Sequence, residues 1–567
     1  MGIVTQETDA TLSNRCRLSA RQSLQPSQNC MNANSGQLSR RRLRAPQEDR
    51  AALIEPPLEQ VADLVERNRR NRDQHDCDFH GRSLAEIARL ARAELHAAAR
   101  RWTAEYRSVP SEPHDPAGPI YLAGHQPQMF HPGVWFKNFA LGHLARRHGT
   151  TAVNLIVDND TLSDVSLRVP GGSASEPRAL QIAFDRPDPK IPYEERTIQD
   201  RELFAGFQQR VLEQIGPLVA DPLITQYWPL VRARAEHTDN LGACLAQARH
   251  ELEGRWGLET LEVPQSRVCA TESFQWLTAH LLARLPEFRL THNEAVRQYR
   301  RVHRIRSVSH PVPELAEQGP WLEAPFWVWT ADQPRRRRLF ARVAGDEIIL
   351  SDGQVWEIRL PLQADGDAGR AVQRLLELQH EGVRIRSRAL ITTLWARLAL
   401  GDLFIHGIGG AKYDQVTDVL IERFFRLDPP RILVVSATLH LPIERPGIST
   451  DDIRVATREL RELEHHPERY LGGVEGVPVD LILAKRRWID TPQTRENAQE
   501  RCHAIRAVNA ALQPWLDPRR GRLLERQAQA IRRLQAEEVL ASREYAFCLY
   551  PEPTLREFLR QLLHKIA

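Results

Sequence analysis

The chain has 567 residues, 42% of them hydrophobic and 26% charged, with 77 basic against 73 acidic side chains. That is too long for one ordinary core, and the composition is that of a soluble globular chain of about two to four domains. The near-even charge gives little ground for nucleic-acid binding, so a nucleic-acid partner ranks last. No run of about 18 apolar residues occurs, so no membrane span is expected. The N-terminus lacks the apolar region of a secretory signal.

Residues 1–45 are rich in Ser, Asn, Gln and Arg and poor in large apolar side chains. Such a segment cannot bury enough surface to offset chain entropy, and disorder is expected. Residues 46–117 read as a helical segment. Within it Leu84, Ile87, Leu90, Ala91 and Leu95 form one stripe, with Ser83 placed to cap the helix start.

A core of 118–488 should follow. "PIYLAG" reads as a buried strand, "GVWFKNFALGHLARRHG" as a helix stopped by Gly149, and "TAVNLIVDND" as a second strand. Strand, helix and strand in this order make a βαβ unit, which builds a parallel sheet. Residues 199–300 read as mostly helical, interrupted by "LETLEVPQS". "ARVAGDEIILSDGQVWEIRL" reads as a small antiparallel insert. "DLFIHGIGG", "DQVTDVLIERFF" and "RILVVSA" make a second βαβ unit. Residues 489–545 read as an antiparallel helical hairpin or short coiled coil, and 546–567 as a strand and helix returning to the core. The expected fold class is α/β.

Seven cysteines, at 16, 30, 77, 244, 269, 502 and 548, form no CxxC pair. Free thiols in a reducing cytoplasm are expected. "HDCDFH", His75 to His80, has close potential ligands but no second cluster at zinc spacing, and a solvated loop is the better reading. No metal site is expected. The run Arg335–Arg338 and the stretch Gln298–Ser307 read mainly as solvated basic faces.

Chemistry is expected where ligands bind in open α/β sheets, beyond the carboxyl ends of strands. Three loops fall there. The first, Gly124 to Pro132, carries His125, Gln126 and His131. The helix that follows, with Gly133 in its first turn and Lys137 one turn on, offers free N–H groups to an anion. Its plainer reading is a capped helix start with surface histidines. The second is "VDNDTLSD", where Asp158, Asn159 and Asp160 could hold a ribose, an amine or a magnesium-bound phosphate, or simply form an Asx-turn. The third is "IHGIGGAKYD", in which Gly407, Gly409 and Gly410 follow His406, and Lys412 and Tyr413 come next. Its glycines would let backbone amides approach an anion, although the spacing is neither a Walker A loop nor GxGxxG. Arg384, Arg386 and Arg388 alternate. The first two read as a basic edge strand, whereas Arg388 is the better candidate for binding an acidic group.

"LAGHQPQMFHPGVWFKNFALGHLA" resembles the "TGQQ…GPLY…K" motif of the bacillithiol-synthesis cysteine-adding enzymes. Gly124, Gln126, Gly133 and Lys137 fall on matching positions, and His125 stands where that family has glutamine. "VNLIVDNDTLSDVS" resembles the family's strand ending in an acidic segment, with Asp158 and Asp160 on the acidic positions and Asn159 between them. "IHGIGGAKYDQVTDVL" resembles its "GGPGEIAYWAQL" loop. "HPGV" echoes the HxGH signature of nucleotidyl-transfer folds but lacks its second histidine. The resemblance implies a Rossmann-like nucleotide-binding core, a coiled-coil appendage and a homodimer formed through it. It implies a ligase joining cysteine or a similar amino acid to an amine, with ATP or ADP, and magnesium, as cofactors. A relative acting on another amine or acyl group fits equally.

On that reading His125, Gln126, His131, Asp158 and Asp160 are catalytic. Gly124, Gly133, Lys137, Asn159, Arg388, His406, Gly407, Gly409, Gly410, Lys412 and Tyr413 bind a small-molecule substrate or nucleotide. The alternative is a non-catalytic ligand-binding or scaffold protein on the same core. The two separate on whether His125, Asp160 and Lys412 line one pocket or lie more than about 15 Å apart.

Overall fold

The computed structural model describes residues 38, 43–74, 76–109, 118–162, 164–188, 191–310, 312–354, 356–363, 365–445, 447–448 and 450–564. The disorder expected for 1–45 concerns residues almost all outside this set, as do Cys16, Cys30 and His75. Strands β1 (Ala52–Glu55), β2 (Ile120–His125) and β3 (Thr151–Ile156) come first, then a hairpin of β4 (Ser166–Gly172) and β5 (Pro177–Ala183). After β6 (Leu261–Pro264) come β7 (Glu317–Gln318), β8 (Trp321–Thr330), β9 (Gln333–Ala344), β10 (Glu347–Ser351), β11 (Glu357–Leu360) and β12 (Val383–Ser387). Strands β13 (Leu403–His406) and β14 (Ile432–Ala437) are last.

The central sheet runs β1-β14-β13-β2-β3-β6. Both expected βαβ units are present: β2 pairs parallel to β3, and β13 parallel to β14. From β2 the chain winds outward through β3 to β6, and on the other side β13 and β14 are added. The neighbouring ends of β2 and β13 therefore send their connections in opposite directions, which opens a crevice at their carboxyl ends. Alternation along β2 sorts its side chains: Ile120 and Leu122 enter one core, Tyr121 and Ala123 the other. A strand buried on both faces reads as a continuous apolar run, as β2 does.

Helix Pro132–His148 covers one face. His131 caps it and Gly149 ends it at φ 63°. Its Trp135, Phe136, Leu141 and Leu144 are buried, each contributing on the order of 2 kcal/mol. Helix Leu84–Ala104 covers the other face beside β6, opened by a capping box between Ser83 and Glu86. At the amino ends of the strands, the buried Asp402 carboxylate accepts from the Ile120 N–H (2.8 Å), Arg72 (2.6 Å) and Arg92 (2.9 Å), tying β2 to β13.

Several expectations are corrected. Residues 46–117 are not only helical, because β1 forms an antiparallel edge of the central sheet. "LETLEVPQS" holds β6, a buried strand of that sheet and not a mere interruption between helices; with only four residues it leaves no periodic signal. The antiparallel insert is larger than expected, a sheet in the order β11-β10-β9-β8-β12 that shares the core under one face of the central sheet. The C-terminal helices begin at Thr450. Helix Thr450–His465 lies along Asp517–Leu540, and Val479–Asp490 along Ala498–Leu512. The two helices expected to form a hairpin thus take their main partners from further upstream. Residues 546–550 are a buried 3-10 turn, not a strand: the Phe547 N–H bonds the Phe130 carbonyl instead of a ladder partner. The last helix, Glu552–His564, does return to pack on Pro132–His148.

Candidate active site

The carboxyl ends of β2, β3, β13 and β14 open into a cavity of about 850 Å³. His125, Asp160 and Lys412 all line it. So do Gly124, Gln126, His131, Gly133, Lys137, Asn159, Arg388, His406, Gly407, Gly409, Gly410 and Tyr413. Three stretches far apart in sequence therefore meet on one wall.

Asp158 does not join them. Its carboxylate accepts from the Ser266 N–H (2.8 Å) and hydroxyl (2.5 Å) behind the wall. Burial, with Glu194 adding to it, pushes its pKa up to about 7. It anchors the loop after β3 to the turn after β6 and is no cavity ligand, which corrects its catalytic assignment. Asp160 faces the cavity. It accepts from Gln126 Nε2 (3.1 Å), Arg336 (2.9 Å) and the Thr161 N–H (2.9 Å). Asn159 donates to the Ser387 carbonyl (2.9 Å) and so joins this wall to the end of β12.

The helix start is not the open anion site expected from its sequence. His131 Nδ1 accepts from the Gly133 N–H (3.1 Å), the His131 carbonyl takes the Val134 and Trp135 N–H groups, and Pro132 has none to offer. Gly133 is required for packing: a Cβ there would fall 1.9 Å from the Ala437 carbonyl oxygen. The other side of the His131 ring faces Glu544 at 3.6 Å. Burial pushes the His131 pKa down to about 4, against the pull of Glu544.

His125 is also kept neutral. Burial, with Lys137 and Arg249 nearby, pushes its pKa down to about 3. Its Nδ1 lies 2.9 Å from the Gln126 carbonyl, which sets Nδ1 as the protonated nitrogen and leaves Nε2 as an acceptor. Lys137 is 3% exposed. It donates to the Gly124 carbonyl, and burial with Arg249 nearby pushes its pKa down to about 7. It is therefore only partly charged at neutral pH.

The Gly-rich stretch is the start of a short helix, Ile408–Tyr413, capped by Gly407. Gly407 and Gly409 face open space, while a Cβ on Gly410 would come 2.6 Å from His406 Nδ1. His406 Nε2 bonds Asp414 (3.1 Å), which also takes Arg397 (2.7 Å) and Thr393 (2.6 Å). Burial opposes charge on Asp414, but Arg397 and His406 outweigh it and hold the carboxyl well below its ordinary range.

The opposite wall belongs to the antiparallel sheet. Trp327 of β8 carries the guanidinium of Arg388 at 4.1 Å and that of Arg336 at 4.5 Å. Arg388 pairs with the buried Glu323 at 2.7 Å. Arg386 is neither a ligand nor a solvated edge residue: it is buried against Glu194 at 2.9 Å. Sequence reasoning missed Trp327, His292, Arg44, Arg543 and Glu544, which also line the cavity. Arg336 was visible only as one member of a basic run. Its neighbours Arg337 and Arg338 pair with Asp352 and Glu323.

Among the described residues one group has three potential metal ligands close together, the buried His250, Glu253 and Glu262. Arg249 bonds one oxygen of each carboxylate, at 2.8 and 2.6 Å, while the second oxygens, Glu253 Oε2 and Glu262 Oε2, are buried without a hydrogen-bond partner. The five described cysteines are free. Among the described residues no helix is long and apolar enough to cross a membrane. No family model matches the chain, and no curated protein matches it either.

Proposed function

We propose that the chain is a nucleotide-dependent ligase that joins cysteine or a similar amino acid to an amine inside this cavity. One observation carries the reading: of the residues singled out from three separate loops, all but Asp158 line a single cavity. The parallel sheet brings these loops to one edge, and the side chains they carry there are polar and face a common space. Two further features support it. The order β6-β3-β2-β13-β14, wound both ways from β2, supports reading the sheet as a Rossmann-like core, and open parallel sheets bind ligands in the crevice between diverging strands. A cavity of about 850 Å³ has room for a nucleotide-sized molecule.

In this reading the neutral His125 accepts a hydrogen bond from substrate, and Gln126 and Asp160 hold the amine. Arg388, His406 and Lys412 face the anionic part, with the backbone of Gly407 and Gly409 open to it. Desolvated polar groups fixed in advance stabilise charge developing in a transition state. Among the described residues, the carboxylates that line the cavity are Asp160 and Glu544. The Asp160 oxygens already take Arg336, Gln126 and Thr161, and Glu544 faces His131 and Arg543. No step is therefore routed through a metal. A homodimer through the C-terminal helices and a cytoplasmic location belong to the same proposal. Leu524 and Ile531, seven residues apart on one helix, are 46% and 39% exposed and supply an apolar seam.

The test is a thermal-shift screen with ATP, ADP, cysteine and sugar–malate conjugates. A ligand of the folded state present at 100 times its Kd adds about 2.7 kcal/mol of stability. A rise in Tm with a nucleotide and with an amine or amino acid is expected. No rise with any of them would overturn the reading.

A further inference from the structure

A buried lysine ordinarily pairs with a carboxylate, because an unpaired ammonium taken out of water is costly. Lys137 has none: among the described residues no carboxylate lies within ion-pair distance of its Nζ, and its hydrogen-bond partner is the Gly124 carbonyl. The groups around it make charge less favourable still. His125, on the end of β2, is kept neutral, and Arg249, on the helix Leu241–Arg255, acts on Lys137 as a like charge. The carboxylates bonded to Arg249, Glu253 and Glu262, each give one oxygen to that guanidinium and to Trp135, Asn138 or Asn154, and neither forms an ion pair with Lys137. Lys137 is nonetheless part of the cavity wall, beside Leu155 and Val157. A methionine there would pack with no such penalty, so the fold itself does not explain a lysine.

We propose that Lys137 is the proton acceptor of the site, a catalytic residue that takes a proton from the ammonium of an incoming primary-amine substrate. The proposal rests on the ligase reading above and names the role of one residue in it. The exchange balances without a co-reactant. The substrate R–NH3+ loses one proton and becomes R–NH2, and the Lys137 amine gains it and becomes an ammonium. The nitrogen lone pair freed on the substrate is then available for bond formation. An amine titrating near 7 suits this task, since it is partly unprotonated at neutral pH and still basic enough to accept.

The experiment is competitive acylation of the full chain with acetic anhydride between about pH 5 and pH 10, read lysine by lysine from peptide masses. Lys412 on the cavity wall is the internal reference. The expected result is that Lys137 acylation rises with a midpoint near 7. A midpoint above about 9, or no acylation of Lys137 at any pH while Lys412 is labelled, overturns the proposal. Binding of amines to wild type, Lys137→Met and Lys137→Arg separates this inference from the reading beneath it. If amines bind and Lys137 titrates as an ordinary lysine, the site reading stands and the proton acceptor falls. If Lys137 titrates near 7 and no amine binds, the ligase reading falls instead.

Discussion

Replacing Lys137 by methionine should stabilise the protein at acid and neutral pH. The amine titrates at about 7 in the fold, against 10.5 for a free lysine. A group with a depressed folded pKa binds fewer protons folded than unfolded between those values. Stability therefore rises with pH across that window, by about 1.4 kcal/mol per unit, and the cost is present in full below pH 7. The span amounts to a penalty on the order of 5 kcal/mol at pH 6. Against it stands the lost hydrogen bond to the Gly124 carbonyl, about 1–3 kcal/mol if that oxygen is left unsatisfied. Lys137→Met should then be more stable than wild type by roughly 2–4 kcal/mol at pH 6. The gain should shrink steadily above pH 7 and vanish or reverse by about pH 10. Urea unfolding of both proteins at pH 6, 7, 8, 9 and 10 measures the difference directly. A difference that does not change with pH would refute the reasoning, and so would a methionine variant less stable at pH 6.

Asp158 and Asp160 should part company. Asp158→Asn leaves one acceptor oxygen for the two bonds that Ser266 donates and should cost about 1–3 kcal/mol of stability with ligand affinity kept; Asp160→Asn should do the reverse, as paired denaturation and calorimetry would show. Gly409→Ala meets open space and should leave Tm within about 2–4 °C, yet it should weaken any ligand lying against that backbone at least about tenfold, or 1.4 kcal/mol. Gly133→Ala must move either the helix or β14 and should cost more than about 3 kcal/mol. If the exposed seam holds a dimer, Leu524→Glu with Ile531→Glu should halve the mass seen by light scattering; an unchanged mass would put the interface elsewhere.

Much of this was legible in the sequence where one short stretch carried a complete local signal. Ser83 before its helix, Gly149 after its own and the apolar run 120–123 each state their own structure, and the two βαβ units followed. The cavity was legible because three polar loops each followed an apolar strand, and a parallel sheet brings such loops to one edge. What stayed hidden depended on distant partners. β6 is too short for a period and becomes a strand only beside β3. Arg336 differs from its neighbours only because Asp160 and Trp327 stand opposite it. Asp158 and Asp160 look equivalent along the chain, and only Ser266, more than a hundred residues away, turns one of them inward. The same holds for Lys137, whose charge is decided by Arg249 and by the depth of the wall.

The central claim is that this cavity binds a nucleotide and an amine-bearing substrate together. Calorimetric titration of ATP and of cysteine into wild type and Lys412→Ala tests it most directly. Wild type should bind, and Lys412→Ala should bind the nucleotide at least about tenfold more weakly, a loss of 1.4 kcal/mol, with its Tm unchanged. No binding by wild type, or equal binding by the variant, would contradict the account.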